Sequence, residues 1–149
     1  MEKKMEKGKN MMVKGKLYIN NKLEYDGEYL YRKKWNGKGY DDNLNIIYEL
    51  INGNGPVKEY GWNGKLEFDG EYLNGKRNGK GKEYDIYFGN LIFEGGYLNG
   101  KRNGKGKEFN DNEKLIYEGN YLNGKWNKTH SINNRKNPPR IKFKFKYLQ

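Results

Sequence analysis

The chain has 149 residues, 33% charged and 34% hydrophobic, with 14 tyrosines, 21 glycines, no cysteine and a formal net charge of +11. No disulfide framework can form, and no apolar run reaches the roughly 18 residues that a membrane-spanning helix needs. Leu, Ile, Val and Phe make up only about a fifth of the residues, so aromatic rings must supply much of any core.

Residues 1–12 form a basic N-terminal segment without the apolar stretch of a secretory signal. Lys16 to Leu23 reads as the second half of a hairpin unit. Full units follow across 13–127. Tyr25-Asp26-Gly27-Glu28-Tyr29-Leu30 opens the first, and a degenerate copy with Pro56 occupies 48–67. Phe68-Asp69-Gly70-Glu71-Tyr72-Leu73, Phe93-Glu94-Gly95-Gly96-Tyr97-Leu98 and Tyr117-Glu118-Gly119-Asn120-Tyr121-Leu122 open the rest. The eleven residues Leu73 to Glu83 return unchanged as Leu98 to Glu108, 25 positions on. A fixed period of this length marks stacked units that bury their apolar faces on one another.

Each unit reads as a β-hairpin. Phe68, Gly70 and Tyr72 share one strand face, and Asp69, Glu71 and Leu73 the other. Asn74-Gly75 and Asn78-Gly79 are turn dipeptides, because both residue types accept positive φ. A short return strand, Lys80 to Tyr84, and a linker, Asp85 to Asn90, complete the unit. The pattern does not fix which face Lys80, Lys82 and Tyr84 take. Gly70, lying between two aromatics on one face, leaves room for a ring from the adjacent hairpin. The lack of alanine and the abundance of glycine argue against helices.

These motifs resemble the MORN repeat (membrane occupation and recognition nexus) over about residues 13–127. The resemblance rests on the aromatic-acidic-Gly-Glu-Tyr opening and on Asn-Gly-Lys-Arg-Asn-Gly-Lys-Gly. It is sharpest in the units opening at Phe68 and Phe93. It implies an all-β fold: a single elongated, twisted antiparallel sheet of stacked hairpin repeats. It also implies a docking or scaffolding role, since enzyme activity in that family resides in separate domains.

The charge is unevenly placed. Residues 1–22 carry a net +5, residues 23–127 a net −1, and residues 128–149 a net +7. The near-neutral body weakens any general polyanion reading and leaves no continuous basic groove for nucleic acid. Lys76, Arg77, Lys101 and Arg102 fall at one phase of the unit, beside the turn. They read either as solvated turn residues or as a basic stripe along one edge. In the C-terminal tail, 128–149, Arg140 to Tyr147 alternates basic with apolar residues. That pattern suits a capping strand, a disordered tail, or a segment that places Lys142, Lys144 and Lys146 against an anionic membrane.

No catalytic constellation emerges. The lone histidine, His130, and the lone serine, Ser131, both lie in the tail. Without cysteine no zinc site is expected, and no cofactor is implied. The recurring carboxylates Asp69, Glu71 and Glu94 read as partners of nearby lysines rather than as an acid/base dyad. The expectation is a non-enzymatic scaffold, cytoplasmic and associated with cytoskeleton or membrane. It would bind a protein partner, or a second copy of itself as a homodimer, through Trp35, Tyr72, Tyr97, Tyr121 and Trp126. For the three tyrosines, packing within the array is the competing reading. The alternative function is peripheral binding to anionic phospholipid or phosphoinositide surfaces through Lys76, Arg77, Lys101, Arg102 and the tail lysines.

Overall fold

A computed structural model describes residues 11–127. Lys142, Lys144 and Lys146, with the rest of the tail, lie outside the described residues, as does most of the N-terminal segment. The described chain is all-β, in antiparallel strands that follow one another in sequence. They are β1 Met12–Ile19, β2 Lys22–Leu30, β3 Lys33–Tyr40, β4 Ile46–Leu50, β5 Gly55–Tyr60 and β6 Leu66–Leu73. Then come β7 Lys76–Tyr84, β8 Leu91–Leu98, β9 Lys101–Phe109, β10 Leu115–Leu122 and β11 Lys125–Trp126. The stacked-hairpin architecture is therefore the one adopted, and it does not close into a barrel.

The ladder is interrupted once. Strands β1 to β4 form one sheet and β5 to β11 another. Between them only Ile51 and Asn54 bridge, across the Asn52-Gly53 turn. The cause lies in the degenerate unit, where Pro56 has no N–H to give to β4. Leu50 and Val57, each 1% exposed, sit where other units have glycine. A second link spans the break, for the Gly53 amide donates to the Trp35 carbonyl and the Gly75 amide to the Gly53 carbonyl.

The hairpins close at Asn74-Gly75, Asn99-Gly100 and Asn123-Gly124, with φ between 51° and 85° at all six residues. That is the twist-matched two-residue turn. Asn78-Gly79, expected as a second turn, lies instead within β7. Glu71 pairs Asn78 and Gly70 pairs Gly81, so Gly79 and Lys80 form a bulge. The return strand therefore starts at Lys76, earlier than the sequence suggests, because one two-residue turn already reverses the chain.

A row of glycines crosses the sheets perpendicular to the strands. Gly15, Gly27 and Gly37 pair in succession, and Gly37 then pairs Leu50. In the second sheet Val57, Gly70, Gly81, Gly95, Gly106 and Gly119 continue it. Aromatic rings lie across this row. A Cβ on Gly70 or Gly81 would come within 2.6 Å of the Phe68 ring, and one on Gly95 or Gly106 within 2.7 Å of Phe93. Tyr97 and Tyr121, from the following hairpins, reach Gly81 and Gly106. The rings meet edge to face, from Phe68 to Tyr97 to Phe93 to Tyr121 to Tyr117, with centroids 5.1–5.6 Å apart. Such contacts are worth about 0.5–1.5 kcal/mol each beyond the area buried. This herringbone is the core.

Candidate functional site

The ring face carries a second layer. A two-residue turn that pairs Leu73 with Lys76 also pairs Tyr72 with Arg77, so Arg77 shares the tyrosine's face. Its guanidinium lies 4.2 Å from the centre of the Phe68 ring, and that of Arg102 lies 4.1 Å from Phe93. Both are forked onto glutamates of the preceding unit. Arg77 Nε and Nη2 donate to Glu59 at 2.9 and 2.6 Å, and Arg102 Nε and Nη2 to Glu83 at 3.1 and 2.6 Å. Arg77 also reaches Glu83 at 3.9 Å, and Arg102 donates to Glu108.

The tyrosines complete each station. The Tyr72 hydroxyl donates to Glu59 at 2.8 Å, and that of Tyr97 to Glu83. In the first sheet Lys34 donates to both Glu24 oxygens at 2.8 Å, and Tyr48 donates to the same glutamate at 2.9 Å. At the far end Trp126 takes the arginine's place. Its indole stacks on Tyr117, and Nε1 donates to Glu108 at 2.9 Å and to the Tyr121 hydroxyl at 3.1 Å. Among the described residues no buried side-chain nitrogen or oxygen lacks a hydrogen bond.

The protonation states follow from this packing. Burial pushes the Tyr25 phenol up to about 12. Burial, then the Glu83 carboxylate, drives Tyr97 well above the usual phenol range. Burial raises Glu83, but hydrogen bonds from Arg102 and Tyr97 outweigh it and hold the carboxyl below its ordinary value. For Arg102 the Glu83 contacts likewise outweigh the opposing effect of burial and strengthen its hold on the proton.

The opposite face carries a row of alternating charge with one residue per strand. Register places Lys58, Asp69, Lys82, Glu94, Lys107 and Glu118 side by side. Lys58 bonds Asp69, and Lys107 lies 3.8 Å from Glu94 and 4.0 Å from Glu118. Lys80, Lys82 and Tyr84 are on this side. They line an open trough of about 1140 Å³ floored by glycine backbone.

Sequence-predicted site residues thus fall in different places. Tyr97 and Tyr121 are 5% and 3% exposed, and Tyr72 is half-buried, all bonded within the array. Trp35 packs on Gly53, and Trp126 on Tyr117. Arg77 and Arg102 leave the anticipated edge stripe for the ring face, where glutamates neutralise them. Lys76 and Lys101 stay exposed at the turn edge. Beside them stand Leu73, Leu98 and Leu122, 49%, 51% and 56% exposed. Each pairs across its strand with a lysine: Leu73 with Lys76, Leu98 with Lys101, Leu122 with Lys125. The repeated Leu-Asn-Gly-Lys motif contains this row, though it reads first as turn chemistry.

At the other edge Trp62, Tyr87 and Phe88 project from neighbouring loops and are 74%, 65% and 76% exposed. Those loops are joined by hydrogen bonds from Asn63 to the Ile86 carbonyl and from Lys65 to the Tyr87 carbonyl. Linkers have no repeat phase, so nothing in the sequence singled these aromatics out.

Among the described residues no cluster of His, Cys, Asp or Glu could hold a metal, and no helix is long and apolar enough to cross a membrane. No protein-family model matches the chain, and neither a curated protein nor a solved structure matches it.

Proposed function

We propose that the chain is a non-enzymatic docking scaffold built from MORN-type repeats, with its binding surface on the turn edge rather than the ring face. One observation carries this reading: Leu73, Leu98 and Leu122 are exposed at the same phase of successive hairpins. Repeated apolar side chains at unit spacing present a linear surface that a partner can follow. The ring face offers no such surface, because its arginines, glutamates and tyrosines satisfy one another. Glu83 is held below its ordinary range and Tyr72, Tyr97 and Tyr121 above theirs, which moves all four away from the near-neutral values that a general acid or base needs. The partner is another protein chain. In-cell cross-linking through Lys76 and Lys101 is expected to capture one discrete protein, and Leu73→Glu, Leu98→Glu and Leu122→Glu combined should release it. Recovery of the chain without cross-links would overturn the reading.

The pairing of each leucine with an exposed lysine favours a second reading, a peripheral site for anionic phospholipid. Lys76, Lys101 and Lys125 would supply the charge there, without Arg77 or Arg102. Co-sedimentation with vesicles containing phosphatidylserine, lost in salt and in the same triple variant, would favour it over the first.

A further inference from the structure

We propose that β1 of one chain completes the open edge of β10 in a second copy, joining chains head to tail. The proposal rests on the scaffold reading and names the scaffold's own copy as one partner.

The edge of β10 is incomplete in a specific way. Strand β11 pairs only with Tyr121 and Leu122, so nothing among the described residues pairs with the outer side of β10 at 115–119. In the units opening at Phe68 and Phe93, the first-strand ring lies over two glycines, one on its own strand and one on the return strand. Tyr117 lies over Gly119, where a Cβ would come within 2.4 Å of its hydroxyl, but β11 ends before a second glycine arrives.

Strand β1 has what is missing. Lys14-Gly15-Lys16-Leu17-Tyr18 repeats the phase of Lys80-Gly81-Lys82-Glu83-Tyr84. In its own chain Gly15 is hardly needed, for a Cβ there would meet the Tyr29 ring at 3.4 Å, against 2.6 Å at Gly81. A glycine with little of its own to accommodate thus faces a ring that lacks one.

Charge and direction agree. The row on the opposite face ends at Glu118, whose next neighbour in the alternation is a cation. Lys16 is that residue on β1, and its inner side already holds Asp26 at 3.3 Å. Between Asp26 and the copy's Glu118 it would sit as Lys107 sits between Glu94 and Glu118. In the alternating ladder β1 runs in the same sense as β11, so it meets β10 antiparallel. The register starts at Gly15, with Gly15 to Gly119, Lys16 to Glu118 and Leu17 to Tyr117; residues 12–14 leave the ladder there, because Asn127 and β11 already hold β10 from Asn120 to Leu122. The chain's own residues 128–149 contain no glycine, whereas β1 offers Gly15 to stand opposite Gly119. The contact uses different surfaces on the two copies, so it propagates in a line rather than closing as a symmetric dimer.

Sedimentation of the full chain tests this. Its average mass should rise with concentration past the dimer without levelling. Gly15→Val, Lys16→Glu and Glu118→Lys should each weaken association about tenfold or more, the scale of placing a like charge or a clash at a contact. Unchanged melting temperatures would show that the variants fold. Mixing the Lys16→Glu and Glu118→Lys chains should restore association, because each then meets its opposite charge. Cross-links between isotope-labelled and unlabelled chains should join Lys16 to Lys107 or Lys125. A chain that stays monomeric, one that associates equally in all variants, or one whose tail lysines cross-link to Lys107 within the same molecule overturns the proposal. None of these results touches the capture of a different protein through the leucine edge, which is tested separately.

Discussion

The Trp126 indole lies on the Tyr117 ring with centres 4.7 Å apart and planes 19° apart. It occupies the station that Arg77 and Arg102 fill over Phe68 and Phe93, and like them it donates to the preceding unit's glutamate. Flat shape and an N–H donor, rather than charge, define that station. Trp126→Arg should therefore hold stability within about 1 kcal/mol, while Trp126→Ala should lose about 2 kcal/mol through lost stacking and the loss of the donor to Glu108 Oε2, Arg102 keeping only the other oxygen. Urea unfolding of the two variants decides the point, and equal losses would contradict it.

The glycine row should tolerate almost no side chain where a ring crosses it. Gly106→Ala places a Cβ 2.7 Å from the Phe93 ring. Overpacking of this kind costs about 1–3 kcal/mol. Gly15→Ala, with 3.4 Å to spare, should leave the melting temperature of the isolated chain nearly unchanged. Thermal melts of both variants at low protein concentration give the comparison.

Acid should weaken the fold through Glu83. Its folded-state pKa lies below the ordinary 4.5, so its stabilisation is complete above that value and is lost as pH falls through the folded pKa. Urea midpoints should hold near neutrality and drop below about pH 4.5. Glu83→Gln should flatten that acid limb and lower stability at neutral pH by about 2 kcal/mol, because Arg102 and Arg77 lose a half-buried partner.

Alkali should act through the core tyrosines. Their folded pKa values lie above the unfolded 10.0, and that of Tyr25 is near 12. The folded state then holds protons that the unfolded chain releases, so stability is full below pH 10 and falls as pH rises beyond it. The tyrosinate absorbance of the core rings Tyr25, Tyr97 and Tyr121 should appear only as the fold is lost. A single smooth titration near 10 would be inconsistent with the buried rings.

Leu50 and Val57 make the apolar joint between the two sheets. Leu50→Ala removes a side chain that is 1% exposed and should cost about 2–4 kcal/mol. The loss falls on the junction, so unfolding should split into two steps as neighbouring units uncouple. Denaturation followed separately by Trp35 and Trp126 fluorescence would reveal the split.

The repeat, the Asn74-Gly75 turn and the ring-over-glycine packing were all legible, because each depends on local residue type at a fixed period. The Asn78-Gly79 bulge was not, since a positive-φ dipeptide serves a turn or a bulge equally well. Placing Arg77 required one more step: pairing across the Asn74-Gly75 turn puts it opposite Tyr72 and so onto the ring face. Trp62, Tyr87 and Phe88 were beyond reach, because their loops follow no repeat and their exposure depends on how neighbouring loops join. Pro56 marked a degenerate copy within an expected single sheet, and the interruption of the ladder after β4, filled by Leu50 and Val57, emerges only from the register.

Glu59 serves Tyr72 and Arg77 just as Glu83 serves Tyr97 and Arg102. Every boundary between such units is chemically the same boundary, so a whole module inserted or excised there orphans no group on either side. Gene duplication could lengthen this protein as one lengthens a ruler, by adding graduations without altering its cross-section.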